Sequence, residues 1–338
     1  MKTGSFLLAL LIAASPAAAQ VSVAPLDSAA AHANQVTTAE SAQGATPGGE
    51  HHGGCEEYPD GDFISPHITD SHCLEVPNGL KIWETREVEL PRWAPIYLGK
   101  FKVDLSPTKH VVFMLLAAAL CCIILITAAR AHVKHTDTVG RPKGFASGIE
   151  AMVLYIRNEV AMPNLGPHGE GYAPFILSLF FFILFANLLG LVPFGSTVTG
   201  NISVTATLAI ITFFVVEIAG IRENGFGYLR TIFYWNNDLP VAMRFPMFLL
   251  MTPIEAAGKL TKPFALAIRL FANMTAGHIV VLGLIGLVFA FKSYALGLVP
   301  LSMALGIMLL ELFVSFLQAF VFALLASVFI GQMREGHH

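Results

Sequence analysis

The sequence predicts an all-α polytopic membrane protein with about five transmembrane helices. Three observations carry that prediction. Of 338 residues, 55% are hydrophobic and 13% are charged, about half the charged share of a soluble domain. Mean hydropathy is +0.65. Apolar runs of at least twenty residues, long enough to cross a bilayer, recur from residue 110 onward. The net charge of −3 comes with no basic patch or aromatic RNA-binding motif, which excludes a nucleic-acid partner.

The chain begins MKTGSFLLALLIAASPAAAQ, with Lys2, a short apolar stretch and Ala17-Ala18-Ala19. This pattern is a secretory signal over residues 1–19, too short to span a membrane, with an extra N-terminal helix as the competing reading. Cleavage would leave the mature N-terminus outside the cytoplasm. Residues 20–105 then form an exported linker and a small extension. The first part, rich in Ala, Ser, Gly, Gln and Thr, has little to bury. The alternation in LKIWETREVELPRW predicts a short strand or two.

Cys55 and Cys73 lie in this exported segment, where an oxidising compartment allows a disulfide. His51, His52, His67 and His72 flank them, but the spacing matches no zinc pattern, so no metal is expected. Cys121 and Cys122 fall in an apolar run and read as small hydrophobes.

The membrane domain is expected over 106–338. A first span at 110–131 is followed by Arg130, Lys134, Arg141 and Lys143, which place that loop in the cytoplasm. Residues 143–166 have helical periodicity but carry Glu150, Arg157 and Glu159, so they should lie along the interface. Spans at 173–195 and 201–221 form a hairpin, followed by a loop with Arg222 and Arg230. Two stretches, 246–290 and 293–332, far exceed the ~20 residues a perpendicular helix needs, so both should be tilted or bent. Five spans from an exported N-terminus leave the C-terminus cytoplasmic.

Ionisable groups inside these last two helices are the functional candidates, because burying one in a bilayer costs from ~2.5 to over 10 kcal/mol. Glu255, Lys262 and Arg269 recur every seven residues, about 20° short of two full turns, and therefore share one stripe. Asn273 extends it. His278, nine residues beyond Arg269, should face a different neighbour. Glu311, Ser315 and Gln318 share a face of the final helix, and His278 is the natural partner for Glu311 across the hairpin.

Arginine does not deprotonate in proteins, so Arg269 can repel cations and attract a carboxylate but not relay a proton. Glu311 and His278 both titrate and can pass one. From spacing alone, these groups fit equally a half-channel ending at a charged barrier or a structural ion network within the hairpin.

KPFALAIRLFANMTAG closely resembles the signature of subunit a of F-type ATP synthases. SPTKHVVFMLLAAAL is similar to that family's first span, the 143–166 segment to its interfacial helix, FILFANLLGLVPF to its third helix, and SFLQAFVFALLASVFI to its last. The resemblance covers roughly 106–333, leaving residues 1–105 outside it.

It implies a proton-conducting stator that is not an enzyme on its own and needs no cofactor. The implied partners are a c-ring rotor, b subunits of a peripheral stalk, the rest of the synthase, and membrane lipid, in a bacterial inner membrane. Arg269 would be the essential charge facing the rotor carboxylate. Asn273, Gln318 and Asn187 would line the proton path with Ser315, and Glu255 and Lys262 the cytoplasmic half. His278 and Glu311 exchange the acid and imidazole of one well-known bacterial pattern, and Gly190 stands where that pattern has aspartate. The nucleotide chemistry lies elsewhere, since the chain has no phosphate-binding G-x-x-x-x-G-K-[ST] loop.

Two rivals remain. A secondary transporter using Arg269 for an anionic substrate would require internal repeats, and none is evident. A purely structural membrane scaffold would tolerate loss of Arg269.

Overall fold

A computed structural model describes residues 70–78, 81–92, 96–98, 101–103, 106–135, 144–166, 169–192, 195–228, 241–291 and 294–335. The expected signal segment, most of the linker and Cys55 lie outside them.

Two small hairpins come first. β1 (Cys73–Asn78) pairs antiparallel with β2 (Lys81–Glu89), in the stretch whose alternation predicts a strand, and β3 (Ile96–Leu98) pairs with β4 (Phe101–Val103). Helices follow: α1 (Lys109–His135), α2 (Phe145–Tyr155), α3 (Met162–Leu165), α4 (Ala173–Gly190), α5 (Ile202–Asn224), α6 (Val241–Phe291) and α7 (Tyr294–Glu335). Five segments are long and apolar enough to cross a membrane: Lys109–Arg130, Gly169–Gly190, Ile202–Asn224, Phe245–Val288 and Gly297–Arg334.

α4 is the centre of the bundle. The apolar stretch of its span is 78% buried, against 11% for that of α6, so α6 lies at the flank with an uncovered outer face. The core gathers Phe175, Phe181 and Ile183 of α4 against Phe322 of α7 and Leu270 of α6. Ala319, Ala323 and Ala326 of α7 are fully buried, and such small residues let helix backbones approach where apolar lipid offers no hydrophobic drive.

The interfacial segment is amphipathic, as expected. Ile149, Ile156, Val160 and Leu165 are buried, whereas Arg157, Asn158 and Glu159 are exposed. It is not one helix: a π turn (Ile156–Ala161) separates α2 from α3, and Pro163 opens α3. Gly331 of α7 sits against α3 so closely that an added Cβ would come 1.9 Å from the Asn164 carbonyl oxygen. Overpacking of this kind costs roughly 1–3 kcal/mol. Gly331→Ala is therefore expected to lower the thermal unfolding midpoint of the purified membrane sector, and an unchanged midpoint would refute the tight contact.

Some boundaries differ from the sequence reading. α4 stops at Gly190 rather than 195, just ahead of Pro193, because proline disfavours helix in the residue before it and ends the hydrogen-bond ladder. α6 begins at Val241 and runs through Pro246, Pro253 and Pro263. In lipid, where backbone groups must bond internally, a helix persists across prolines that would end one in water. At 51 residues, α6 would be roughly 75 Å long at 1.5 Å per residue, more than twice the ~30 Å hydrocarbon core, so it must cross obliquely.

The extension is fastened where α1 begins. The Lys109 amide donates to the Ser71 carbonyl at 3.0 Å, and His72 Nδ1 meets the Pro107 carbonyl at 3.2 Å. Cys73 is disulfide-bonded, while Cys121 and Cys122 are free.

Candidate functional site

A cavity of about 180 Å³ is lined by His110, Gly190, Thr197, Thr275, His278 and Glu311. Glu311 is 4% exposed, and its Oε1 lies 3.6 Å from His278 Nε2. That separation is an ion-pair distance beyond direct hydrogen bonding, and Oε1 has no hydrogen-bond partner among the described residues. Thr197 Oγ1 hydrogen-bonds His278 Nε2. The expected pairing of residues 278 and 311 across the α6–α7 hairpin is thus present.

Asn187, one turn before the cavity-lining Gly190, is completely buried. Its Nδ2 donates to the Ser315 carbonyl at 3.3 Å, and Thr199 Oγ1 donates to its Oδ1 at 2.7 Å. Ser315 Oγ donates to the Glu311 carbonyl at 2.8 Å. Gly190, one turn beyond Asn187, faces Thr197: an added Cβ would stand 2.6 Å from Thr197 Oγ1. There is no room at that position for the carboxylate of the other bacterial pattern, and a threonine hydroxyl occupies the space.

Further along the hairpin, Asn273 Nδ2 donates to Gln318 Oε1 at 3.1 Å, tying α6 to α7. Arg269 is exposed on the outer face of α6, beside the exposed apolar side chains of Phe264 and Ile268. Among the described residues it has neither an ion pair nor a hydrogen bond. Nine residues of helix separate it from His278 by roughly 13 Å, and among the described residues no ion network joins it to Glu311. The structure therefore does not support the intrachain-network alternative.

The seven-residue stripe divides. Glu255 and Arg269 are exposed, whereas Lys262 turns across the hairpin, donating to Gln332 Oε1 at 3.3 Å with its ammonium 5.0 Å from the Phe329 ring centre.

A second polar cluster, missed in the sequence reading, lies at the opposite end of the bundle. Lys259 is buried, with Nζ 2.9 Å from Tyr228 Oη and 3.9 Å from Glu217 Oε1. Tyr228 Oη donates to Glu217 Oε2 at 2.5 Å. Burial and the Glu217 carboxylate both raise the Tyr228 phenol above its usual value, so it remains protonated. Glu217 is an acid inside the 201–221 span, and the rule that drew attention to Glu311 applies equally to it. Nearby, Arg334 donates to the Leu165 carbonyl at 2.6 Å and pairs with Glu223 at 3.3 Å, anchoring α3 to α7.

A multi-helix membrane protein with an acid–imidazole pair in a cavity, and an arginine on an uncovered apolar face with no partner among the described residues, belongs to the class of ion-translocating membrane subunits. Comparison with known proteins specifies it. The profile of the ATP synthase A chain family matches residues 111–331. The chain is 45% identical to ATP synthase subunit a of Chloroherpeton thalassium, over 78% of this chain and 74% of that one. It is 43% identical to ATP synthase subunit a of Chlorobium phaeobacteroides, over 84% and 80% respectively. Against ATP synthase subunit a of Pelodictyon phaeoclathratiforme, identity is 42% over 94% of this chain and 87% of that one. The chain belongs to the ATP synthase subunit a family, the proton-translocating stator of the membrane sector, and is not itself a catalytic subunit.

Proposed function

We propose that this chain supplies two offset half-channels and a charged barrier between them, coupling proton flow to rotation of a c-ring. Protons arrive from the exported side through the cavity at Asn187, Glu311 and His278 and neutralise a rotor carboxylate. The neutral site enters lipid and rotates away. On its return it gives its proton to a cytoplasmic half-channel near Glu255 and Lys262, where Arg269 favours the ionised carboxylate and prevents a direct leak. The observation that carries this reading is Arg269 itself, exposed on an apolar face with no partner among the described residues. A charge at bilayer depth needs a partner, and a rotor carboxylate is that partner.

Within the cavity, the 3.6 Å gap between His278 and Glu311 suits a bridging water that hands a proton between them. Asn187, Ser315, Asn273 and Gln318 hold hydrogen-bonding groups on the helices beyond the cavity. The Glu217–Tyr228–Lys259 cluster gives the α5–α6 end further polar surface. The membrane domain spans 106–338 in a bacterial inner membrane, contacts b subunits of the peripheral stalk, and has its C-terminus in the cytoplasm. Residues 1–19 are a cleaved signal, and Cys55 pairs with Cys73 in the exported extension of residues 20–105. The membrane potential contributes about 2.3 kcal/mol per charge per 100 mV, so several protons drive each ATP.

The whole complex, reconstituted in vesicles, should acidify the lumen on addition of ATP, measured by quenching of a pH-sensitive dye, with no requirement for sodium. Hydrolysis without acidification, or an absolute sodium dependence, would sink the proton reading.

A further inference from the structure

The extension lies outside the part of the chain that matches the family profile, yet one of its side chains, Asp70, meets a histidine that lines the cavity. His110, the second residue of α1, is 4% exposed and lines the same cavity as His278 and Glu311. Its Nδ1 lies 2.7 Å from Asp70 Oδ1, and the other oxygen, Oδ2, accepts from Asn201 Nδ2 at 3.4 Å. Three separate segments thus meet at one carboxylate: the extension, α1 and the turn before α5.

We propose that Asp70 and His110 form a proton-collecting relay at the exported mouth of the Glu311–His278 cavity. This rests on the half-channel reading of that cavity. The pair is more than a fastening, because the extension is already held to α1 by the Lys109–Ser71 and His72–Pro107 contacts.

The chemistry follows from the inventory of donors. Burial pushes the Asp70 carboxyl up, but the His110 hydrogen bond and charge outweigh it and hold the group below the usual carboxylate range. An ionised carboxylate only accepts, so Nδ1 of His110 is the donor and Nε2 carries the mobile proton. A hydronium on the aqueous side gives its proton to Nε2, leaving water and an imidazolium beside the Asp70 carboxylate. The Nε2–H bond then breaks toward water in the cavity, and the proton passes to Glu311. His110 returns to its neutral form and Asp70 keeps its charge throughout. The other titratable groups around this path are His72 of the extension, Lys109 of α1, and His278 and Glu311 of the hairpin.

A collecting group matters most when protons are scarce. The test measures potential-driven proton flux through the whole complex in vesicles, with protons supplied from the exported side at varied pH. His110→Gln and Asp70→Asn should each lower flux roughly fivefold or more at pH 8.5 and by less than about twofold at pH 6, straddling the imidazole range. Added imidazole on the exported side should restore the alkaline loss in His110→Gln. Both replacements keep a polar side chain at the 2.7 Å contact, and if one fails to assemble the other is read alone. Equal losses at both pH values without rescue would make the pair a structural clamp and overturn the relay, as would unchanged flux. If Glu311→Gln abolishes flux while these variants do not, only the relay fails. If Glu311→Gln also has no effect, the half-channel reading fails with it.

Discussion

Arg269→Ala abolishes ATP-driven proton uptake by the assembled complex and leaves assembly intact. Both halves of this expected result follow from where the side chain stands. Within the chain Arg269 touches no carboxylate, carbonyl or amide among the described residues, so its removal orphans no buried group. The destabilisation of about 3–5 kcal/mol that follows breaking a buried ion pair therefore does not apply. What is lost is a permanent charge on the face that an acidic rotor site must pass. Without it, nothing favours release of the proton on one side over the other, and rotation decouples from flux. Arg269→Lys should retain assembly and a fraction of the pumping, because lysine keeps a point charge but lacks the planar fork and loses its proton more readily when desolvated. The measurement is initial pumping rate per assembled complex, with subunit content checked by native gel. Pumping at wild-type rates in Arg269→Ala would sink the motor reading, and loss of the complex from the gel would reveal an intrachain role that the exposed position denies.

The fold and the site differ in how far they could be read from residues alone. The spans follow from hydropathy because each apolar run must bury its own backbone polarity in a single helix. Their ends follow less well, since α4 stops three residues ahead of Pro193 in the sequence while Pro246, Pro253 and Pro263 leave α6 continuous. That distinction depends on surroundings, not on proline. Within the site, residues related by helical arithmetic were legible: the nine-residue offset of His278 from Arg269 turned it toward Glu311. The seven-residue stripe was legible only in part, because Lys262 is long enough to reach Gln332 across the hairpin while Glu255 and Arg269 point outward. The Asp70–His110 contact joins residues forty positions apart across a strand-forming extension. No periodicity connects them, and tertiary packing alone brings them together. Gly190 is similar, since its meaning appears only when Thr197 from the following turn occupies its space.

Glu311→Gln should reduce proton flux through the membrane sector at least tenfold, and His278→Gln should do so by a smaller factor, on the scale of a lost general acid or base. Glutamine preserves the shape of Glu311 but cannot gain and lose a proton, so the cavity keeps its packing and loses its carrier. The pair then offers a stricter test. Exchanging the two residues, His278→Glu with Glu311→His, keeps one acid and one imidazole facing each other across the 3.6 Å gap. If the function is proton transfer between them, the double exchange should recover flux above either single variant His278→Glu or Glu311→His. The first single variant sets two carboxylates against each other and the second two imidazoles, and both arrangements disfavour the shared proton. A structural role predicts the opposite ordering. The Thr197 hydrogen bond to His278 would be disrupted by the exchange, and the double variant would be the worst of the three. The sign of the coupling in that double-mutant cycle, measured as flux per assembled complex, therefore separates a relay from a scaffold.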